Sequence, residues 1–264
     1  MKPLTTLFLA AGVFASTVAL ADQIVTLKTR GDVTQSYLLL DDGSAAPKAV
    51  AVLFPGGKGR VKLPADISHL KLHLNDNFLV RTRDLFRDRE LAVALVDVPS
   101  DQQRGMDDAF RTGGEHSGDI AAVVKDLRSR FSSAKVFLVG TSRGTLSAAH
   151  VGRTLGGAVD GVVLTSSVLW SGRRGTSLSG FDFGAIKAAL LFVHHAEDGC
   201  RVCPYSAAES LGRTYPLITV RGGRLAEAGV CQGLSAHGYF GRESETVAAI
   251  KNWMLGRPYP KIVE

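Results

Sequence analysis

The stretch Lys135–Thr145, KVFLVGTSRGT, decides the reading of this chain. Residues 135–139 form a short, largely apolar run with strand character, and they lead directly into Gly140-Thr141-Ser142-Arg143-Gly144. The residues that follow, LSAAHVGRTL, have helical spacing. Strand, G-x-S-x-G and helix, in that order, are the setting of a nucleophile elbow, where a tight turn holds a serine in a strained conformation at the strand tip. Gly140 and Gly144 have to be small because strand and helix pass within contact distance. The peptide N–H of Arg143 then points at the oxyanion formed when Ser142 attacks a carbonyl. A chain with 29 glycines can also produce this motif as a plain Gly-Ser turn. Its single occurrence, mid-chain between two apolar strands, favours the elbow.

Working outward, residues 23–30 and 33–41 are strand-like runs about Gly31-Asp32 and read as an antiparallel hairpin. Residues 49–54 are continuously apolar, as in a buried parallel strand, and end in Pro55-Gly56-Gly57-Lys58-Gly59. Residues 60–75 are irregular. The spacing predicts a helix over 77–89 with Phe78, Leu79, Leu85 and Phe86 inward, a strand over 91–98, a long polar loop to Gly114, and a helix over 117–131. After the elbow come strands at 159–166, 188–194 and 217–220, a short helix at 205–213 and a closing helix at 243–255. Between them lie a Gly/Ser-rich excursion at 167–184, too short for a large lid, and a loop at 222–238. Strands alternating with helices imply a mostly parallel sheet covered on both faces, with ligands bound beyond the carboxyl ends of the strands.

The first 21 residues read as a signal peptide: Lys2, an apolar run over 4–20, and Ala19-Leu20-Ala21 before Asp22. The expectation is an exported chain, periplasmic or secreted, folding as one α/β domain over 22–264 with no membrane partner. The formal net charge of +6 is scattered, without Lys/Arg runs interleaved with aromatics, so nucleic acid is not expected as a partner. Lys58, Arg60, Arg143, Arg173 and Arg174 either put positive charge at a cleft mouth, favouring acidic or phosphate-bearing esters, or form a solvated basic surface.

A serine hydroxyl needs a base to take its proton. Of the seven histidines, His237 follows the last predicted strand, where the chain order Ser, acid, His places the base. Asp198, just past the strand at 188–194, has the position of the acid that orients the imidazole. Its competitors are Glu197 and Asp182, while Asp97 suits a turn cap. A second oxyanion donor belongs to the loop after residues 49–54, with Gly57 the choice and Lys58 next. His194 and His195 end a strand and point to opposite faces, which suits packing. A metal site drawing on them with Asp198, Cys200 and Cys203 is weakly supported, because C-x-x-C stands alone, and no cofactor is expected. Cys231 can pair with Cys200, or else Cys203, tying the acid loop to the histidine loop. The rival is a Cys200–Cys203 redox pair.

F-P-G-G-K-G at 54–59, G-T-S-R-G at 140–144, H-H-A-E-D-G-C at 194–200 and S-A-H-G at 235–238, in that order, resemble the α/β-hydrolase family. The chain looks most like the small exported bacterial hydrolases of that family. The resemblance implies an eight-stranded sheet with a minimal cap. It also implies a Ser142–His237–Asp198 triad with Gly57 and Arg143 N–H groups as oxyanion donors. The activity implied is that of a serine hydrolase, a carboxylesterase acting on a small ester. A peptidase or amidase of the same fold, or a non-catalytic binding protein that kept it, is the alternative. Arg143 after the nucleophile, and a G-G-K-G loop without the preceding His of the lipase-type motif, depart from the family pattern.

Overall fold

A computed structural model describes residues 22–43, 46–172 and 175–264. The expected signal peptide over 1–21 and the cations Arg173 and Arg174 lie outside the described residues.

The chain runs β1 (Gln23–Arg30), β2 (Val33–Leu40), β3 (Ala49–Phe54), α1 (Phe78–Arg81), α2 (Arg83–Phe86), β4 (Leu91–Val96), α3 (Asp108–Thr112) and α4 (Gly114–Arg130). It continues through β5 (Lys135–Thr141), α5 (Gly144–Leu155), β6 (Gly161–Thr165), β7 (Ala189–His195), α6 (Tyr205–Leu211), β8 (Leu217–Val220), α7 (Glu243–Met254) and β9 (Ile262–Val263). The strands form one sheet in the order β1-β2-β4-β3-β5-β6-β7-β8-β9. β1 and β2 pair antiparallel, as do β2 and β4, and every other pairing is parallel.

All residues of β3, β4 and β6 are buried. Side chains alternate across a strand, so each of these apolar runs feeds two cores at once. On one face Val50, Val52 and Leu138 pack with Ile120, Val123 and Leu127 of α4 and with Leu146 and Val151 of α5. On the other, Ala51, Leu53 and Val139 pack with Phe78 and Leu79 of α1, Phe86 of α2 and Val247 and Ile250 of α7. Each fully buried Leu or Ile contributes about 1.5–3 kcal/mol.

Three features differ from the sequence-based expectation. The helix expected over 77–89 is two short ones, because the Thr82 hydroxyl donates back to the Phe78 carbonyl at 2.6 Å and the backbone there leaves helical geometry (φ −101°, ψ 4°). Leu85, expected inward, is consequently 43 % exposed. The polar loop before Gly114 contains α3, capped by Asp107, whose Oδ1 accepts from Phe110 N–H, and α4 starts at Gly114 rather than Ser117. The sheet has nine strands rather than eight, since Ile262 and Val263 extend it beside Thr219 and Val220. The excursion between β6 and β7 carries a single 3-10 turn, Phe183–Ala185, among the described residues.

Candidate active site

The sheet delivers Ser142, Asp198 and His237 to the same end, past the carboxyl termini of β5, β7 and β8. Ser142 has φ +52°, the left-handed region that costs a residue with a Cβ about 1–2 kcal/mol. The turn is held from both sides: Ser142 N–H donates to Thr165 O at 3.0 Å and Thr145 Oγ1 donates to Ser142 O at 2.6 Å. A Cβ on Gly144 would run into the Phe54 carbonyl, and one on Gly140 into Gly144 itself, so both positions must be bare.

Asp198 and His237 meet. His237 Nδ1 lies 2.9 Å from Asp198 Oδ2, the aspartate side chain is fully buried and the histidine's is 5 % exposed. The other oxygen, Oδ1, accepts the Cys200 N–H at 2.9 Å, which fixes the carboxylate's orientation. With Nδ1 engaged by an acid, the imidazole presents Nε2, a buried nitrogen with no partner among the described residues. Of the rival acids, Asp182 caps the 3-10 turn by accepting from Gly184 N–H, and Glu197 is exposed. Asp97 accepts from the N–H groups of Val61, Leu63 and Val98, a turn cap as its position suggests.

Ser142, His237, Gly57 and Arg143 line one cleft of about 630 Å³. The N–H groups of Gly57 and Arg143 have no acceptor among the described residues, and that of Arg143 heads α5. The Arg143 N–H lies at the positive end of the α5 dipole, where negative charge is favoured. The Arg143 side chain turns away: its Nε donates to Asp108 Oδ1 at 2.8 Å, and Asp108 Oδ2 accepts the Thr176 N–H at 3.1 Å. Asp108 thus offsets the Arg143 charge, which weakens the suggestion that this residue draws anionic esters to the cleft.

Cys200 pairs with Cys231, and Cys203 is a buried free thiol. Both half-cystines line the cleft, and the bond joins the acid loop to the histidine loop. Burial, aided by the nearby Asp198 carboxylate and opposed by the neighbouring Ser142 hydroxyl, pushes the Cys203 thiol well above its usual range. It therefore stays protonated rather than acting as a second nucleophile. Cys200, Cys203 and His237 place ligand-type atoms within 4.8 Å of one another, but one sulfur is in the disulfide and His237 Nδ1 is held by Asp198. His194 and His195 are buried and bonded to backbone. His194 Nε2 accepts Ser167 N–H at 2.6 Å, while His195 Nδ1 accepts Glu197 N–H at 3.1 Å and its Nε2 lies 2.8 Å from Gly222 O.

Several supporting residues escaped the sequence reading. Tyr239, fully buried, donates to Val193 O at 2.7 Å, and Ser166 Oγ donates to His237 O at 2.7 Å, anchoring the histidine loop to the ends of β6 and β7. Arg81 donates to Gly238 O and Asp76 O, both at 2.6 Å. Arg111 is fully buried and donates to Pro55 O (3.2 Å), Gly57 O (3.1 Å) and Ser147 Oγ (2.9 Å), clasping the glycine loop from behind. Burial and the neighbouring Arg143 lower its pKa to about 10, so it keeps its charge at neutral pH.

No family model and no curated protein matches the chain. Solved structures do. An α/β serine hydrolase without a lid from Xanthomonas campestris has a TM-score of 0.58 at 14% identity, over 90% of this chain and 98% of that one. A putative α/β hydrolase of unknown function from Agrobacterium tumefaciens has a TM-score of 0.60 at 13% identity, over 90% and 100%. The chain has the α/β-hydrolase fold. Esterase 2 from Thermogutta terrifontis shares that fold with it at a TM-score of 0.55 and 14% identity, over 90% of this chain and 95% of that one.

Proposed function

We propose that this chain is a serine hydrolase of carboxylesterase type, acting on small esters through an acyl-enzyme. One observation carries the reading: Ser142, on a positive φ, shares a cleft with His237, whose Nδ1 is paired to a buried carboxylate. Such strain persists where the surroundings over-determine it, which is characteristic of functional sites.

In this reading His237 Nε2 takes the Ser142 proton as Oγ attacks the ester carbonyl, and Asp198 stabilises the imidazolium. The N–H groups of Gly57 and Arg143 receive the oxyanion. Collapse breaks the carbonyl–alkoxy bond, His237 gives its proton to the departing alkoxide, and water repeats the sequence on the acyl-enzyme to release the acid. Esters are favoured over amides because an alcohol leaving group asks less of the general acid. The short excursion between β6 and β7 leaves the cleft without a large lid. Export is supported by the Cys200–Cys231 bond, a linkage that persists in oxidising compartments. No helix among the described residues is long and apolar enough to cross a membrane.

The test is a fluorophosphonate probe read by intact mass, beside a p-nitrophenyl ester series and Ser142→Ala. The Thermogutta esterase is phosphoramylated by tabun, which makes an organophosphorus probe apt. Labelling and turnover by the wild type alone are expected. A folded wild type that neither labels nor turns over any ester removes the proposal and favours a binding protein; turnover of amides in preference to esters favours the peptidase or amidase reading.

A further inference from the structure

Asn77 stands at the head of α1, and its side chain is committed at one end. Its Oδ1 accepts the Leu79 N–H at 3.1 Å as the N-cap of that helix. That bond also identifies the ends of the amide, because only oxygen can accept a peptide proton. Nδ2, with its two N–H groups, therefore faces away from the helix. What it faces is the cleft, whose wall includes Asn77, Gly56 and Ser142.

Gly56 brings the three together. A Cβ there would lie 3.0 Å from Ser142 Cβ, 3.0 Å from Thr141 O and 3.3 Å from Asn77 Nδ2. A side chain at this position would press on both Ser142 and the Asn77 amide, so the bare glycine lets the two share this part of the cleft wall. Nδ2 lies within the combined reach of those two distances, about 6 Å, of Ser142 Cβ. Substrate atoms bonded to Oγ fill a gap of that size. Nδ2 has no acceptor among the described residues, although it is pinned in place by its own oxygen.

We propose that Asn77 is a third donor to the reacting carbonyl, a catalytic residue beside the Gly57 and Arg143 N–H groups. The inference rests on the serine-hydrolase reading of the same cleft. Its physical logic is preorganisation: a donor already fixed by a helix cap costs no reorganisation when negative charge develops on the substrate oxygen. Capping alone does not call for asparagine, since Ser and Asp cap as well, and of these Asn alone carries an N–H donor on an atom separate from the capping oxygen.

That difference supplies the test. Asn77→Ser and Asn77→Asp both retain a capping oxygen and lose the Nδ2 donor. For each, kcat and KM with p-nitrophenyl esters and the fluorophosphonate labelling rate are measured beside the melting temperature. The expected result is a kcat about 100-fold below wild type, a KM within a few-fold, slower labelling, and a melting temperature close to wild type for Asn77→Ser. Asn77→Asp should lose more, because it places a carboxylate near the developing oxyanion. A kcat within tenfold of wild type in both variants overturns the role, as does a loss of activity that only tracks a loss of stability. A wild type that does not label at all fails the serine-hydrolase reading instead, so the two failures are distinct.

Discussion

Removing the Cys200–Cys231 disulfide should cost this protein stability and, disproportionately, catalysis. The bond spans 31 residues of sequence, and the chain-entropy relation for a loop of that length gives about 3.7 kcal/mol at 25 °C. For a domain of this size that corresponds to a fall in melting temperature of roughly 7–14 °C. The catalytic effect follows from what the bond joins. Cys200 N–H holds one oxygen of Asp198, and Cys231 begins the segment that ends in His237. Loosening that segment leaves the His237–Asp198 contact to the hydrogen-bonded anchors, chiefly those from Ser166, Tyr239 and Arg81. The perturbation is Cys200→Ser with Cys231→Ser, checked against reduced wild type; Cys231 is exposed, so a reductant reaches the bond. Urea unfolding and ester turnover, measured on the same preparation at a temperature where the variant is folded, should show the stability loss together with a kcat reduced several-fold. A double variant within 1 kcal/mol of wild type and equally active would refute the reasoning.

Three further outcomes are expected. At φ +52° a Cβ is a burden, so Ser142→Gly should be more stable than Ser142→Ala by about 1 kcal/mol while both are inactive; equal unfolding midpoints, or Ala ahead, contradict the strain at the elbow. Burial lowers the pKa of His194 to about 4 and that of His116 to about 3, so both are neutral in the fold, and below roughly pH 6.5 the unfolded chain binds more protons. Stability is therefore complete above about pH 6.5 and lost as pH falls towards 4, by about 2 kcal/mol per histidine at pH 5. Urea unfolding at pH 7.5 and 5 measures this, and His194→Gln, which keeps an acceptor for Ser167 N–H, should remove about half of the loss; an unchanged pH dependence argues against it. Arg111→Lys replaces a fork that spans three acceptors with a single ammonium, so a loss of about 1–3 kcal/mol and a reduced kcat are expected from unfolding curves and ester kinetics, and a fully active, fully stable variant would show that the clasp on Pro55 and Gly57 is dispensable.

The strands were legible because they are local statements of burial. An apolar run such as Ala49–Phe54 or Leu91–Val96 reads as a two-faced buried strand whatever surrounds it. The elbow was legible for a similar reason, since its glycines and serine meet steric demands within five residues, and the chain order of Ser142, Asp198 and His237 follows from the connectivity of such a sheet. Helix continuity was less so: Thr82 ends α1 through a hydroxyl whose effect depends on the rotamer it adopts. β9 is two residues long, and only pairing with β8 makes it a strand.

By itself, then, the sequence determined the layered sheet, the end of it that bears the chemistry, and the residue types placed there. Tertiary structure alone decided which sulfur Cys231 meets, that Asp108 rather than a substrate takes the Arg143 charge, that Arg111 clasps the glycine loop, and that the Asn77 amide and Ser142 both lie against Gly56. The division has one physical cause. Burial and local sterics are properties of neighbours along the chain, whereas a hydrogen bond or a disulfide between positions 31 to 56 residues apart exists only once the sheet has brought them within ångströms.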